Sequence, residues 1–457
     1  MDAADAFVQK KKEQIMRTET DSLGEWSLPD DTLYGINTAR ALDNFALPGK
    51  RVHPELIRAI VRIKKAAAKT YRELALGDPD KERAIEHACE ELLSGTCEAV
   101  YELSAYQGGA GTSTNMCVNE VIANLALLEL GYAPGRYDII HPLDDVNRGQ
   151  STNDVYPTAL RIAAIGQLRR LSEECAALQT ALQEKENAWA DMDKLGRTEL
   201  MDAVPITLGE EFGAYAQAIA RDRWRLYKVE ERLRQVNIGG TAVGLSAGSE
   251  RKYRVRVLEE LRRITGYGLA AAEYPMDLTQ NQDVFVEVSG LLKALAVNLM
   301  KIANDLRLMN SGPHGGIGEI RLAALQQGST IMAGKVNPVI PEMTMQCALK
   351  VIGNDTTITM AAAHGEFELN AFLPLIADCL LESLELLTED VRIFREKAIR
   401  PLKPCPARCA ANLEASAAFA ASFVPALGYD TVSGIVKNHT PREAKKLLGE
   451  LAAGAAQ

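Results

Sequence analysis

Gly328-Ser329-Thr330-Ile331-Met332-Ala333-Gly334-Lys335-Val336-Asn337-Pro338 is the stretch on which the reading of this chain turns. It is bracketed by glycines, polar at its start and closed by proline, which are loop signals. Long apolar periodic segments flank it on both sides. The glycines permit close backbone approach and present N–H groups. Lys335 supplies a fixed positive charge and Asn337 a neutral donor. Ser329 supplies a hydroxyl that can act as a nucleophile or, once deprotonated, as a base. Such a set suits chemistry on an anion. The order of residues excludes a P-loop, because Val336 rather than Ser or Thr follows Lys335. It also excludes a G-x-S-x-G elbow.

The stretch resembles the signature of the aspartase/fumarase superfamily, G-S-S-x-M-x-x-K-x-N-x-x-x-x-E. The match runs through Gly328, Ser329, Met332, Lys335, Asn337 and Glu342, with Thr330 where the second serine usually stands. Flanking text agrees, with Ser311-Gly312-Pro313 before it and Val351-Ile352-Gly353-Asn354-Asp355 after it. The resemblance spans almost the whole chain.

Outward from the loop, the chain reads as long amphipathic helices broken by polar islands. Ile57, Ile60, Ile63 and Ala66–Ala68 make a helical stripe, and Gly95-Thr96 ends a second helix. Leu168, Leu171, Cys175, Leu178 and Leu182 form a seam at three-four spacing. Phe212, Tyr215, Ile219, Leu226, Val229, Leu233 and Val236 form another. A further helix is expected from Asp283 to Met309, with Val288, Leu291, Leu295, Leu299, Ile302 and Leu306 inward. Residues 342–363 and 374–397 supply two more. Strand-like alternation is scarce. The expected fold class is all-α, a bundle of long helices with faces left over for partner subunits.

Three polar islands interrupt these helices. In Gly108-Gly109-Ala110-Gly111-Thr112-Ser113-Thr114, the glycines are expected to lead into a helix start capped by hydroxyls, which suits a carboxylate. Asp144 to Asp154 precedes the seam of Leu168 to Leu182, and Gly196 to Pro205 follows it. The resemblance assigns Thr112, Ser151, Thr152, Asn153 and Thr198 to substrate binding. It assigns Ser329, Lys335 and Asn337 to catalysis and Glu342 to support of the site. Glu199 joins the substrate-binding set, although it stands where the family commonly has His or Gln. His314 stands where Arg is usual. Arg17 and Arg40 are expected to order loops at the site.

The resemblance further implies three mainly helical domains, at 1–148, 149–400 and 401–457, and a homotetramer whose sites are shared between subunits. It implies elimination from a succinate skeleton, with a serine base and an aci-carboxylate intermediate held by preorganised donors. No metal and no organic cofactor is required. Ser151-Thr152-Asn153-Asp154-Val155-Tyr156-Pro157 and Asp202-Ala203-Val204-Pro205-Ile206 lie closest to the branch that deaminates L-aspartate to fumarate. Fumarate hydration or a substituted aspartate is the alternative. A catalytically silent structural member is the rival from another class.

Composition sets the bounds. A chain of 457 residues can bury a large core, and 25% charged residues fit a soluble globular class. The net charge of −10, with basic residues dispersed, argues against nucleic acid as a partner. Eight cysteines without a C-x-x-C pair read as reduced thiols of a cytoplasmic protein. Residues 1–14 lack a signal pattern, and no apolar run is long enough to span a membrane.

Overall fold

The protein is described by a computed structural model that covers residues 15–95, 97, 98 and 100–455; the segment 1–14 and Thr96, both read above, lie outside the described residues. The chain opens with a hairpin of β1 (Met16–Asp21) and β2 (Gly24–Pro29) and a short helix α1 (Ile36–Asn44). Arg17 ties this arm together by donating to the carbonyls of Pro29, Asp30, Thr32 and Tyr34. Arg40 grips Asp21 through two bonds of 2.8 and 2.9 Å. Both arginines therefore order the arm itself.

Helices α2 (Pro54–Glu73) and α3 (Pro79–Ser94) begin alike. Each has proline in its first turn, where the missing N–H costs nothing. His53 and Asp78 cap them by accepting from Glu55 N and Asp80 N. Gly95, at φ 83, ends α3 in the left-handed conformation that glycine adopts without strain. Helix α4 (Thr112–Glu129) is buried nearly all round, as suits a helix at the centre of a core.

Helix α5 (Thr152–Ala188) leads into a hairpin of β3 (Asp193–Thr198) and β4 (Met201–Thr207), followed by α6 (Leu208–Leu233). Two-residue strands β5 (Gln235–Val236) and β6 (Ala270–Ala271) flank α7 (Arg251–Thr265). Helices α8 (Pro275–Gln280) and α9 (Asp283–Met309) follow. Strand β7 (Ile320–Arg321) then leads through the serine loop to α10 (Val339–Ala362) and α11 (Leu373–Phe394). Strand β8 (Lys403–Pro404) pairs with β7 and precedes α12 (Pro406–Glu414), α13 (Val424–Leu427), α14 (Tyr429–Asn438) and α15 (Pro441–Ala455).

The fold is all-α in character, with four two-stranded sheets as minor additions. The expected seams are buried: Leu168, Leu171, Cys175, Leu178 and Leu182 are at most 1% exposed. In α9 the inward position falls on Leu292 rather than Leu291.

The described chain divides into two compact units. Unit 1 holds the residues up to Leu168 with Lys228–Gly290 and Gly353–Leu384. Unit 2 holds Arg169–Tyr227, Leu291–Ile352 and the residues from Glu385 onward. Within unit 1, α2 packs on α3 and α7, and α4 on α1 and α3. Ser289 Oγ donates to Asp355 Oδ1 at 2.8 Å, joining α9 to α10. Within unit 2, Asn298 Nδ2 donates to Asp222 Oδ2 at 2.7 Å and Tyr215 OH to Asp305 Oδ2 at 2.8 Å, joining α6 to α9. In each of these three pairs a buried side chain meets a polar partner, as low-dielectric surroundings demand. Among the described residues no single helix is long and apolar enough to cross a membrane.

Candidate active site

The serine loop, in unit 2, is an exposed turn closed by its own hydrogen bonds. Gly328 N donates to Lys335 O at 2.8 Å, and Asn337 Nδ2 donates to Gly328 O at 2.8 Å. A Cβ on Gly328 would stand 2.4 Å from Lys335 O, so the closure requires glycine. Ser329 Oγ accepts from Met332 N at 2.9 Å and from Ile331 N at 3.2 Å. Two backbone N–H groups thus point at the hydroxyl oxygen. That is an environment which favours negative charge there. The Lys335 ammonium is exposed and makes no hydrogen bond or ion pair among the described residues. Asn337 keeps one amide hydrogen uncommitted.

The β3–β4 hairpin, also in unit 2, carries Thr198 and Glu199 at an exposed tip. Glu199 and Leu200 form its two-residue turn at φ 54 and 66. Neither is glycine or asparagine, so the turn holds strain of the kind that clusters at functional sites. The base of the hairpin is clamped by a buried ion network that the sequence reading missed. Glu319 is fully buried and receives Arg197 Nη2 at 2.8 Å and Nη1 at 3.1 Å. Lys194 Nζ lies 3.1 Å away, and Asn412 Nδ2 donates at 3.0 Å. Burial opposes ionisation of Glu319. The bonds from Arg197 and Asn412 and the charge of Lys194 overcome it and hold the carboxyl below its ordinary value. The hairpin, the segment before the serine loop and α12 are thereby fixed to one carboxylate.

Glu342 begins α10 with Arg307 Nη2 at 3.9 Å from its Oε1, a partner that sequence spacing did not reveal. Among the described residues no hydrogen bond or ion pair joins Ser329, Lys335 or Asn337 to Thr198 or Glu199.

Unit 1 carries the remaining segments. Helix α4 starts at Thr112, but hydroxyls do not cap it as expected. Its N-cap is Gly111 at φ 90, without a side-chain cap, and Thr112 Oγ1 donates back to Gly109 O at 2.7 Å. The cap oxygen comes instead from Gln107 Oε1, which accepts from Thr114 N and Thr114 Oγ1 at 3.1 and 2.9 Å. A glycine run cannot offer a cap side chain, so a residue upstream of it does so. Thr112 is left exposed at the helix start.

Ser151, Thr152 and Asn153 stand together at the start of α5. Ser151 Oγ accepts from Asn153 N at 3.2 Å, and Asn153 Nδ2 donates to Ala242 O at 2.8 Å. Asp154 fixes the segment from below. Its carboxylate accepts from Ser151 N, Gly239 N and Thr241 N, each at 2.9 Å. Burial raises the Asp154 carboxyl to about 6, against the pull of those N–H groups and of Lys64. Beneath lies an amide cluster of Asn115, Asn119, Asn147 and Gln150 around the buried Lys64. One signal was available for it, since Lys64 falls on the apolar stripe of α2.

No group of three or more His, Cys, Asp or Glu side chains arranged to hold a metal occurs among the described residues. None of the eight cysteines is joined in a disulfide among the described residues.

A lyase family model matches residues 24–353 of the chain. The aspartate ammonia-lyase of Bacillus sp is 42% identical over 422 residues, 92% of this chain and 90% of that one. That of Pseudomonas aeruginosa is 43% identical over 424 residues, again 92% and 90%. The crystal structure of fumarate lyase:delta crystallin from Brucella melitensis bound to cobalt superposes with a TM-score of 0.91 at 42% identity, covering 97% of this chain and 99% of that one. The class II fumarase of Schistosoma mansoni superposes with a TM-score of 0.92 at 31% identity, covering 95% and 96%.

Proposed function

Because this chain belongs to the aspartase/fumarase superfamily of lyases, we propose that it catalyses the reversible anti-elimination of ammonia from L-aspartate to give fumarate. Similarity to aspartate ammonia-lyases at about 42% over most of the chain favours carbon–nitrogen over carbon–oxygen cleavage. The class II fumarase is more distant, at 31%.

The single observation that carries the mechanism is the geometry at Ser329. Removing a proton from carbon beside a carboxylate takes a strong base, and a serine is one only as its oxyanion. The N–H groups of Ile331 and Met332 at its Oγ supply the partial positive charge that lowers the cost of that oxyanion. The Ser329 oxygen takes the C–H proton. The electron pair moves into the adjacent carboxylate, and the aci-carboxylate so formed carries extra negative charge. Lys335, unpaired among the described residues, and the free amide hydrogen of Asn337 stabilise it. The pair then returns to form the double bond, the C–N bond breaks and ammonia leaves. Thr112, Ser151, Thr152, Asn153, Thr198 and Glu199 hold the carboxylates and the amino group, and Glu342 supports the site.

All of the loops that carry these groups except Ser151–Asn153 are exposed in the single chain. That fits a homotetramer in which each site draws segments from several subunits. The division into an N-terminal domain (1–148), a central bundle (149–400) and a short C-terminal domain (401–457) belongs to the same proposal. Ultraviolet absorbance of fumarate tests the reaction. It should appear with L-aspartate and not with malate, whereas appearance with malate alone would establish the hydratase reading instead.

A further inference from the structure

We propose that Lys64 is a positioning residue: it fixes the direction of hydrogen bonding beneath Ser151–Asn153 so that the Thr152 hydroxyl is left as a donor for a substrate carboxylate. The proposal rests on the reading of Thr152 as a substrate contact.

Lys64 is fully buried in α2 and has no carboxylate at ion-pair distance among the described residues. Its Nζ donates to Asn147 Oδ1 at 2.7 Å and to Gln150 Oε1 at 3.0 Å. Burial pushes the ammonium down to about 7, against the pull of Asp154 and Cys89. The amine has N–H bonds for both oxygens with either two hydrogens or three. Asn147 turns its oxygen toward Lys64, and its Nδ2 donates away from the lysine to Gln150 O at 3.2 Å.

That oxygen also accepts from Asn115 Nδ2 at 3.1 Å and Asn119 Nδ2 at 3.2 Å. With Asn147 reversed, three donors would face its NH2. Asn115 is thereby oriented, and the same Nδ2 donates to Thr152 Oγ1 at 3.1 Å. A hydroxyl oxygen that accepts there keeps its own hydrogen for another partner. Thr152 donates to no group among the described residues.

The polarity runs one way through the cluster, from Lys64 to Asn147 and from Asn115 to Thr152. It leaves Asn115 Oδ1 and Asn119 Oδ1 buried with no hydrogen-bond partner. A cluster serving stability alone would satisfy them. Their orphaning points to a direction imposed from the lysine end. A donor-only set of contacts selects a ligand made of acceptors, such as a carboxylate, over one that presents N–H or O–H groups.

The test is a pair of double-mutant cycles read by aspartate kinetics and by inhibition with succinate. Lys64→Met should raise KM and the succinate inhibition constant about tenfold, the scale of one hydrogen bond to a charged group. The value of kcat should stay within about threefold, because Lys64 touches no reacting atom. Thr152→Val should weaken succinate similarly, and Lys64→Met in that background should add nothing. Should Lys64→Met fail to fold, the near-isosteric Asn115→Asp sets an acceptor against Thr152. It should likewise weaken succinate only while the threonine is present. Additive effects in the cycle measured would overturn the polarity argument while leaving Thr152 as a contact. An unchanged succinate constant in Thr152→Val would remove the contact, and this proposal with it.

Discussion

Arg197 holds Glu319 through two hydrogen bonds of 2.8 and 3.1 Å, one residue before the hairpin threonine assigned to substrate. The pair is inside the protein, since Glu319 is fully buried and Lys194, its other cationic neighbour, is 2% exposed. Removing one partner of such a set leaves uncompensated charge. Glu319→Ala should therefore destabilise the protein by about 3–5 kcal/mol, read as a lowered unfolding midpoint.

Acid should reproduce part of that loss. The folded Glu319 carboxyl lies below its ordinary value of 4.5. Its contribution is thus fully present above the unfolded value and is lost as pH falls through the folded one. The stability difference between the protein and its Glu319→Gln variant should be constant above about pH 5 and shrink below pH 4. A difference that grew on acidification would contradict the clamp.

Asp154 should behave in the opposite sense. Burial raises its carboxyl from 3.8 to about 6. Its favourable linkage is complete below the unfolded value and is lost as pH rises through the folded one. Relative to Asp154→Asn, the protein should lose roughly 2 kcal/mol between pH 4 and pH 7, at about 1.4 kcal/mol per pKa unit. Denaturant unfolding of both proteins across that range measures it, and a flat difference would count against a carboxyl raised by burial.

Gly328 should tolerate no side chain. A Cβ there would stand 2.4 Å from Lys335 O and 2.9 Å from Asn337 N. Gly328→Ala must open the turn that sets Ser329, Lys335 and Asn337 relative to one another. Because the loop is exposed, the unfolding midpoint should hardly move. Activity should fall by about 10²-fold, the scale of a misplaced reacting group. Near-normal activity in Gly328→Ala would show that the closed turn is not the working form.

Most of the helical frame was legible because its signal is local. Helix α9 was expected from Asp283 to Met309 and lies there. Its apolar positions recur at three and four, and its ends carry no competing pattern. The β3–β4 hairpin read only as an interruption, because its strands lack alternation and its turn uses Glu199-Leu200 at positive φ instead of the usual Asn-Gly. Tertiary packing and the Glu319 clamp, over a hundred residues away in sequence, hold that turn. The hydroxyl, ammonium and amide proposed for catalysis, Ser329, Lys335 and Asn337, stood out by their motif. Their supports did not, because Lys64 meets Asn147 across 83 residues of sequence and hydrogen-bond partners at that range leave no periodic trace. The expected hydroxyl cap at Thr112 failed for a related reason, since Gln107 reaches over the glycine run to cap α4.

The central claim is that Ser329, in its turn of backbone donors, takes the proton from carbon. Turnover of L-aspartate by Ser329→Ala, followed by fumarate absorbance alongside the unaltered protein, tests it most directly. The account predicts a loss of about 10²–10⁴-fold, the usual weight of a general base, in a protein whose unfolding midpoint is unchanged. An undiminished rate in Ser329→Ala would contradict it.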